Sequence, residues 1–427
     1  MRQRQDMSPI TVSAIPHICI VGGGFGGLYT ALYLQKYRHL QNARITLIEP
    51  KERFLFTPMM YELITGELKE WEIAPTYSSL IAGSNITWLQ CHAESVDLEH
   101  QTVTVTGEQT VAYDYLVLAT GADSRPVSIP GVDDYALTFR TFEDSQRLKA
   151  RLSQLVAARM HQSTDEVQPT CVTVIGGGAS GVELASKVAD YLDGDGQITL
   201  VERGPMLLTP FSKGLRRQAQ KSLAKRQITV MTETGIVAVS ADSVTLQMGD
   251  QQEVRPSDLT LWAVGTQPRP WLGQQAVEHN EYGQRMTRRT LQLLNHENVF
   301  VLGDSADVRS AKQQPAPNTA QAAFQAASRV AANLAAMTKG KSPKAFNYLH
   351  LGDMITLGVG DAALSSFGIN LGGMLASLCR RGVYVFRMPT QRHQLKVGRR
   401  ALGELVRAIF WPQKRKRVPY NASISPH

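Results

Sequence analysis

Gly22, Gly24 and Gly27, and again Gly176, Gly178 and Gly181, are the residues of this chain best suited to hold a phosphate. Each triplet follows a β-branched apolar run, ICIV or VTVI, and opens a helical pattern, LYTALYL or VELA. A turn without side chains lets a pyrophosphate approach backbone N–H groups at a helix N-terminus, where the helix dipole favours negative charge. A carboxylate then closes the next apolar run in both places, Glu49 in ITLIE and Glu202 in ITLVE, where it reaches ribose hydroxyls. One G-x-G-x-x-G is weak evidence. Two, each with strand, turn, helix, strand and acid in order, predict two adenine-dinucleotide sites.

The repeat extends beyond the glycines. In YDYLVLATGADSRP, Ala119, Gly121, Arg125 and Pro126 match Ala263, Gly265, Arg269 and Pro270 of LTLWAVGTQPRP at identical spacing. The chain therefore carries two copies of one nucleotide-binding unit. Thr120 and Gly121 belong to the first site and Gly265 to the second. A flavin in one copy and a nicotinamide in the other would bring hydride donor and acceptor together, an oxidoreductase layout. Cys19, Cys91, Cys171 and Cys379 are scattered singly, with no C-x-x-C or C-x-x-x-x-C pair. A dithiol relay is thereby discarded, the cysteines read as buried thiols of a reducing compartment, and no metal site is expected.

The elements that must position these residues follow from the pattern. The 427 residues, 43% of them hydrophobic, suffice for two or three domains of ordinary globular composition. The expected fold class is α/β: two Rossmann-like three-layer nucleotide-binding units with a C-terminal extension. Residues 14–126 form the first part of one unit, with strands at 17–21, 45–49 and 115–119; residues 165–270 form the second unit; residues 290–345 return to the first; residues 346–427 are a separate C-terminal region. Residues 142–160 have helical periodicity, followed by a polar linker. In VFVLGDSADV, a buried strand ends at Gly303 and Asp304, where a ribityl-phosphate arm would lie and Asp304 would accept from a ribityl hydroxyl; a capping role for this aspartate is the alternative. PNTAQAAFQAASRVAANLAAM is a helix whose small residues line one face, suited to approach something flat.

With these motifs the chain resembles the type II NAD(P)H:quinone oxidoreductases, single-chain flavoproteins of respiratory and photosynthetic membranes. The two glycine fingerprints, the ATG segment, FLFTPMMYELITGEL, VFVLGDSADV and PNTAQAAFQAA carry the resemblance, from about residue 16 to 345, and the C-terminal GDMITLGVGDAALSSFGINLGGMLASLCRRGVYVFRMPTQRHQLKVG is similar to the cyanobacterial and plastid branch, which includes demethylphylloquinone reductases. The resemblance implies FAD in the first unit, NAD(P)H in the second and a quinone as acceptor, the cofactor carrying the redox chemistry. It also implies that Ala320 and Gln321 line a quinone pocket at the flavin, with Gln325 one turn later on the same face, and that Glu183 points at the active site for orientation and proton management. Glu183 otherwise reads as a dipole-stabilised surface acid near a helix start, and Gln321 as a packed surface glutamine. Glu202 argues for NADH, whereas the neighbouring Arg203 offers a clamp for a 2′-phosphate, so the preference stays open as NAD(P)H.

Charge separates the C-terminus from the rest. Residues 380–417 hold 12 Lys or Arg and one acid, Glu404, while the remainder has 33 basic residues against 36 acidic. No groove-reading motif accompanies this block, so nucleic acid is not an expected partner. From Lys396 to Ile409, helical rotation sets Val397, Ala401, Leu402, Leu405, Val406 and Ile409 on one arc and Lys396, Arg399, Arg400, Glu404 and Arg407 on the other, with Phe410, Trp411 and Lys414–Arg417 following. That pattern suits a helix lying on an anionic lipid surface, each basic residue contributing about 1 kcal/mol; packing on its own domain or a partner is the alternative. No stretch of 18 apolar residues suggests a membrane span, and MRQRQDMSPITVSAIP lacks the marks of a secretory or transit segment. The expected location is the cytoplasmic face of a cytoplasmic or thylakoid membrane, as a peripheral protein, with a homodimer left open. Two other functions fit the glycine loops: a flavoprotein reductase serving a protein acceptor, and a slow redox-sensing protein.

Overall fold

A computed structural model describes residues 15–160 and 168–410, with side chains described through residue 404. Trp411 and the Lys414–Arg417 run lie outside the described residues, as do the first 14 residues and most of the linker after Met160. Two units emerge, one drawn from residues 15–54, 76–123 and 266–349, the other from 55–75, 124–265 and 350–410.

The core of the first unit is a five-stranded sheet in the order Val299–Val301, Tyr115–Leu118, His17–Val21, Arg44–Ile48, Ile86–Leu89, all parallel. His17–Val21, Tyr115–Leu118 and Val299–Val301 are buried along their whole length, as the unbroken apolar runs of a two-sided parallel sheet require. The second unit repeats the order: Thr229–Met231, Gly196–Val201, Thr170–Ile175, Leu259–Trp262, Ala136–Thr138, again parallel. A three-stranded antiparallel sheet is inserted before the fourth strand of each, over residues 93–112 and 234–256. The copies differ in their outermost strand, which comes from later in the chain in the first sheet and from earlier in the second. The two glycine loops thus stand on separate parallel sheets.

In the first unit the Phe25–Leu34 helix packs on the Ala320–Met337 helix. The face of Ala322, Ala323, Ala326, Ala327 and Ala331 is buried, so the backbones approach closely, and Phe324 meets Tyr29 and Tyr33 edge-on at ring separations of 4.8 and 5.6 Å. Thr319 caps this helix, its hydroxyl accepting the Ala322 N–H at 3.2 Å.

Two stretches group differently from the sequence reading. Residues 55–75 cluster with the second unit, and so do residues 350–410, which add a three-stranded antiparallel sheet of Asp353–Thr356, Ala362–Ser366 and Ile369–Gly372 followed by the Gly373–Arg387 and Gln391–Phe410 helices. The expected two faces of the last helix need correction. Val397 is buried while Leu402 is exposed, so the apolar arc is split. Arg400, placed above on the solvated face, pairs with Glu72 and with Glu404 at 2.6 Å. His393 also faces inward, its Nε2 2.8 Å from the Glu72 carbonyl. The outer stripe is Arg392, Leu395, Lys396, Arg399 and Leu402.

Candidate active site

Both glycine loops have one geometry. Gly22 adopts φ +96 and Gly176 φ +115, in the left-handed half of the map where an L side chain is strained. A Cβ on Gly22 would lie 2.4 Å from the Ala119 carbonyl oxygen, and one on Gly27 would lie 1.8 Å from the Gly22 oxygen. The second copy repeats this, a Cβ on Gly181 lying 1.8 Å from the Gly176 oxygen and one on Gly176 3.1 Å from the Ala263 oxygen. The first and third glycines therefore let the turn fold against the ATG-type segment and the helix. The middle ones do not: nothing lies within 4 Å of a Cβ on Gly24 or Gly178, each of which N-caps its helix without a side-chain bond. Open space above an uncapped helix N-terminus, at the point where strand order reverses, fits a pyrophosphate.

The acids hold the loops. Glu49 accepts the Gly23 N–H at 2.7 Å through Oε2 and the Lys51 N–H at 3.0 Å through Oε1. Glu202 accepts Gly177 and Gly204 N–H groups, both at 2.6 Å. A carboxylate oxygen has more than one acceptor position, so a ribose diol is accommodated beside these bonds. In the first unit Tyr77 Oη also donates to the Gly23 carbonyl at 2.8 Å and Trp88 Nε1 to the Glu49 carbonyl at 2.9 Å.

Gly303, at φ +73, and Asp304 form the turn that ends the Val299–Val301 strand. The Gln284 amide reaches the Asp304 carbonyl and the Asn318 side chain, both at 3.1 Å, tying this turn to the segment before the Ala320–Met337 helix. Thr120, Gly121 and Ala320 are half-buried, and Gly265 is exposed in the second unit. Gln321 is half-buried, its Oε1 accepting from Tyr348 Oη at 3.1 Å. Gln325 is engaged at both ends of its amide by Leu349, donating to the carbonyl at 2.8 Å and accepting the N–H at 3.0 Å. In this arrangement Gln325 fastens residue 349 through both ends of its amide, while Gln321 meets Tyr348 through its amide oxygen.

Glu183 is buried, not a surface acid, and it belongs to a charged cluster in the second unit that the sequence reading missed. Arg380, from the middle of the Gly373–Arg387 helix, donates to Glu62 and to the Pro58 carbonyl. Its Nη2 lies 3.8 Å from Glu183 Oε1, and its Cζ sits 5.0 Å from the Tyr384 ring centre. The same Glu183 oxygen accepts the Thr356 N–H at 2.9 Å. Lys187, one turn after Glu183 and fully buried, pairs with Glu67. Burial pushes Glu183 up to about 7, with Glu62 adding to the rise and Arg380, the Thr356 N–H and Lys187 opposing it. Burial pushes Glu62 up as well, but Arg380 and Lys187 outweigh it and hold the carboxyl below its ordinary value. Two carboxyls beside one guanidinium are thus driven apart: Glu62 stays charged, and Glu183 can hold or release a proton near neutrality. A faint sequence signal existed, since Glu62 interrupts the apolar MMYELI and the Arg380-Arg381 pair interrupts the helix between the largely apolar MLASLC and VYVF. Arg380 and Arg400, counted above within the basic block, are both engaged by buried acids.

All four cysteines are free. Among the described residues no cluster could hold a metal ion, and no helix is long and apolar enough to cross a membrane.

The pyridine nucleotide-disulphide oxidoreductase family matches residues 16–327. The chain is similar to the demethylphylloquinone reductase NdbB of Synechocystis sp., 42% identical over 391 residues that cover 90% of this chain and 95% of the relative. It is 33% identical to the alternative NAD(P)H-ubiquinone oxidoreductase C1, chloroplastic/mitochondrial, of Arabidopsis thaliana over 418 residues, 90% of this chain and 80% of the relative. Its fold is that of NDH2 from Plasmodium falciparum, solved in complex with NADH, with a TM-score of 0.82 at 17% identity, covering 95% of this chain and 99% of the other. With a duplicated dinucleotide cradle, an unpaired set of cysteines and these relatives, the chain belongs to the type II NAD(P)H:quinone oxidoreductase family.

Proposed function

We propose that the chain binds FAD in its first unit and NAD(P)H in its second, and passes reducing equivalents to a membrane naphthoquinone of the demethylphylloquinone class. The observation that carries the reading is the pair of matched cradles, each with open space over its middle glycine. Their unequal surroundings support the order. The outer strand of the first sheet ends in Gly303-Asp304, suited to a ribityl chain, whereas that of the second runs into the buried Phe139. When bound, FAD supplies the relay, taking hydride from NAD(P)H and giving two electrons to quinone. The chain's own residues orient and protonate: the Gly24 and Gly178 N-termini take phosphates, Glu49 and Glu202 take ribose hydroxyls, Asp304 a ribityl hydroxyl, and Gln321 donates its amide to a quinone carbonyl. Glu183 manages a proton, and Glu62, Lys187 and Arg380 fix its charge. Demethylphylloquinone is the substrate in the printed name of the 42% identical relative, and turnover on demethylphylloquinone against plastoquinone analogues tests this acceptor class.

Gln321→Leu is expected to leave flavin content and the flavin-reduction half-reaction intact while slowing reoxidation by quinone, a loss of about 1 to 3 kcal/mol for one hydrogen bond to the acceptor. Stopped-flow measurement of both half-reactions decides it; equal slowing of both would move Gln321 away from the quinone.

The same reading places the protein on a lipid surface as a peripheral protein, on the cytoplasmic face of a cytoplasmic or thylakoid membrane. The Gly373–Arg387 helix is inverted: it buries Arg380 and exposes Met374, Leu375, Leu378 and Phe386, the last 80% accessible. Leu395 and Leu402 are exposed as well, beside Arg392, Lys396 and Arg399. Apolar residues ringed by cations match an anionic bilayer. Phe386→Asp combined with Leu402→Asp removes two exposed anchors without touching the core, so sedimentation with anionic vesicles is expected to drop about tenfold or more while turnover on a short-chain quinone persists; a full burial of one such side chain is worth roughly 1.5 to 3 kcal/mol. Unchanged sedimentation would relocate the contact. A homodimer using this face would instead appear as a concentration-dependent loss of mass in the double variant.

A further inference from the structure

Arg285 has no part in the reading above, and its surroundings are unusual for a cation. It lies on the short strand Arg285–Met286, paired in parallel with Ala306–Asp307, the strand that follows the Gly303–Ser305 turn. The residue is 5% exposed. Its partners are neutral: Nη1 donates to the Gly283 carbonyl at 2.5 Å, and the guanidinium carbon is 5.6 Å from the Trp271 ring centre. Asp307, next to it across the strand pair, is held by Arg309 at 2.9 Å. Burial lowers the Arg285 pKa, and among the described residues no neighbouring acid offsets this. A buried ion without a counter-ion is costly, and an apolar residue of similar size would remove that cost.

Arg285 lines a cavity of about 10 Å³ with Leu118, Thr120, Trp271, Val301 and Ser305. That space is at the limit for one water molecule and excludes a ligand of its own. Any effect of the charge on chemistry is therefore exerted through its field. Thr120 adjoins Gly121, and Ser305 adjoins Asp304, both assigned above to FAD. Burial of the side chain limits the screening of its charge by water, so the charge is felt over several ångströms.

We propose that Arg285 is an electrostatic tuning residue that raises the reduction potential of the flavin bound in this unit. The proposal rests on the assignment of FAD to the first unit. When NAD(P)H gives up a hydride, two electrons and one proton, it becomes NAD(P)⁺ and the flavin gains one negative charge. A fixed buried cation stabilises the product of that transfer more than the reactant.

The test uses the full-length holoprotein with Arg285→Met, which keeps length and apolar bulk, and Arg285→Lys, which keeps charge. Flavin content is read from absorbance and the midpoint potential from equilibration with a redox dye. The Met variant is expected to shift the reduced-to-oxidised ratio about tenfold toward oxidised, a midpoint about 30 mV lower for a two-electron couple, with the Lys variant within about threefold of the parent. An unchanged midpoint in the Met variant overturns the proposal, as do equal shifts in both variants, which would report packing, or loss of flavin from the Met variant, which would make Arg285 a binding residue. Should the Met variant fail to fold, Arg285→Gln carries the same comparison. A parent chain that takes up no FAD at all overturns the cofactor assignment itself, a separate result.

Discussion

Gly24→Val is expected to give a folded, colourless protein, and Gly178→Val a yellow one that NAD(P)H no longer reduces. Both middle glycines have ordinary negative φ, −68 and −74, and empty space where a side chain would project. A Cβ at either position therefore meets nothing among the described residues, and what the valine is expected to displace is a bound dinucleotide. Displacing a pyrophosphate from the helix N-terminus forfeits hydrogen bonds to a charged group worth about 1.5 to 3 kcal/mol each, so affinity falls by about a hundredfold or more. Flavin absorbance after purification, followed by reduction with NAD(P)H and then with dithionite, separates the two sites. A yellow Gly24→Val protein would exchange or remove the assignments. Gly27→Ala is a poor substitute for this experiment, since its Cβ would sit 1.8 Å from the Gly22 oxygen and damage the fold.

Arg380→Met is expected to cost about 3 to 5 kcal/mol of stability at pH 8, because it leaves Glu62 buried with its main counter-ion gone. The pH dependence follows from the sign of the Glu62 shift. Its folded-state pKa lies below the ordinary 4.5, so the stability from the pair is present above that value and is lost as pH falls through the folded pKa. In the variant, burial without Arg380 pushes Glu62 upward, and Glu183 loses its nearest cation too. The gap between parent and variant should therefore narrow as pH falls through 4.5 and widen as pH rises, and it keeps widening above pH 7 because Glu183, already at about 7 in the parent, is pushed higher once Arg380 is gone. Chemical denaturation of the holoprotein across that range measures it, with Arg380→Lys expected to recover part of the loss. A gap independent of pH would mean that packing against Tyr384, not charge, is what Arg380 supplies.

Both glycine loops were legible in the sequence because each constraint is local: a positive φ, a missing Cβ, an acid at the end of the next strand. The Phe142–Met160 helix and the strands around the loops were legible for the same reason, their burial being written as periodicity along one segment. What escaped is what depends on distant partners. Nothing within residues 55–75 says that Glu62 and Glu72 will meet Arg380 and Arg400, more than 300 positions on. Composition treats an arginine as surface charge, so a buried Arg380 and a half-buried, paired Arg400 inflated the basic tail and led the polar face of the last helix to be drawn through Arg400. Gln321 and Gln325 share a helix face and an amide group, and only the position of Leu349 distinguishes their engagements.

The outermost strands carry a consequence for biosynthesis. Val299–Val301 completes the first sheet by pairing with Tyr115–Leu118, roughly 180 residues earlier. At about 5 to 20 residues per second, a ribosome needs roughly 10 to 40 seconds to supply that strand. Throughout this interval Tyr115–Leu118 is a fully apolar strand with one unpaired edge, the kind of surface that recruits other chains. The intervening polypeptide is the second sheet, which already holds its own outer strand, Ala136–Thr138, from upstream. The second sheet can therefore close during translation while the first waits, so the nascent chain is most vulnerable to aggregation between these two events, and a chaperone that shields it would act on the Tyr115–Leu118 edge.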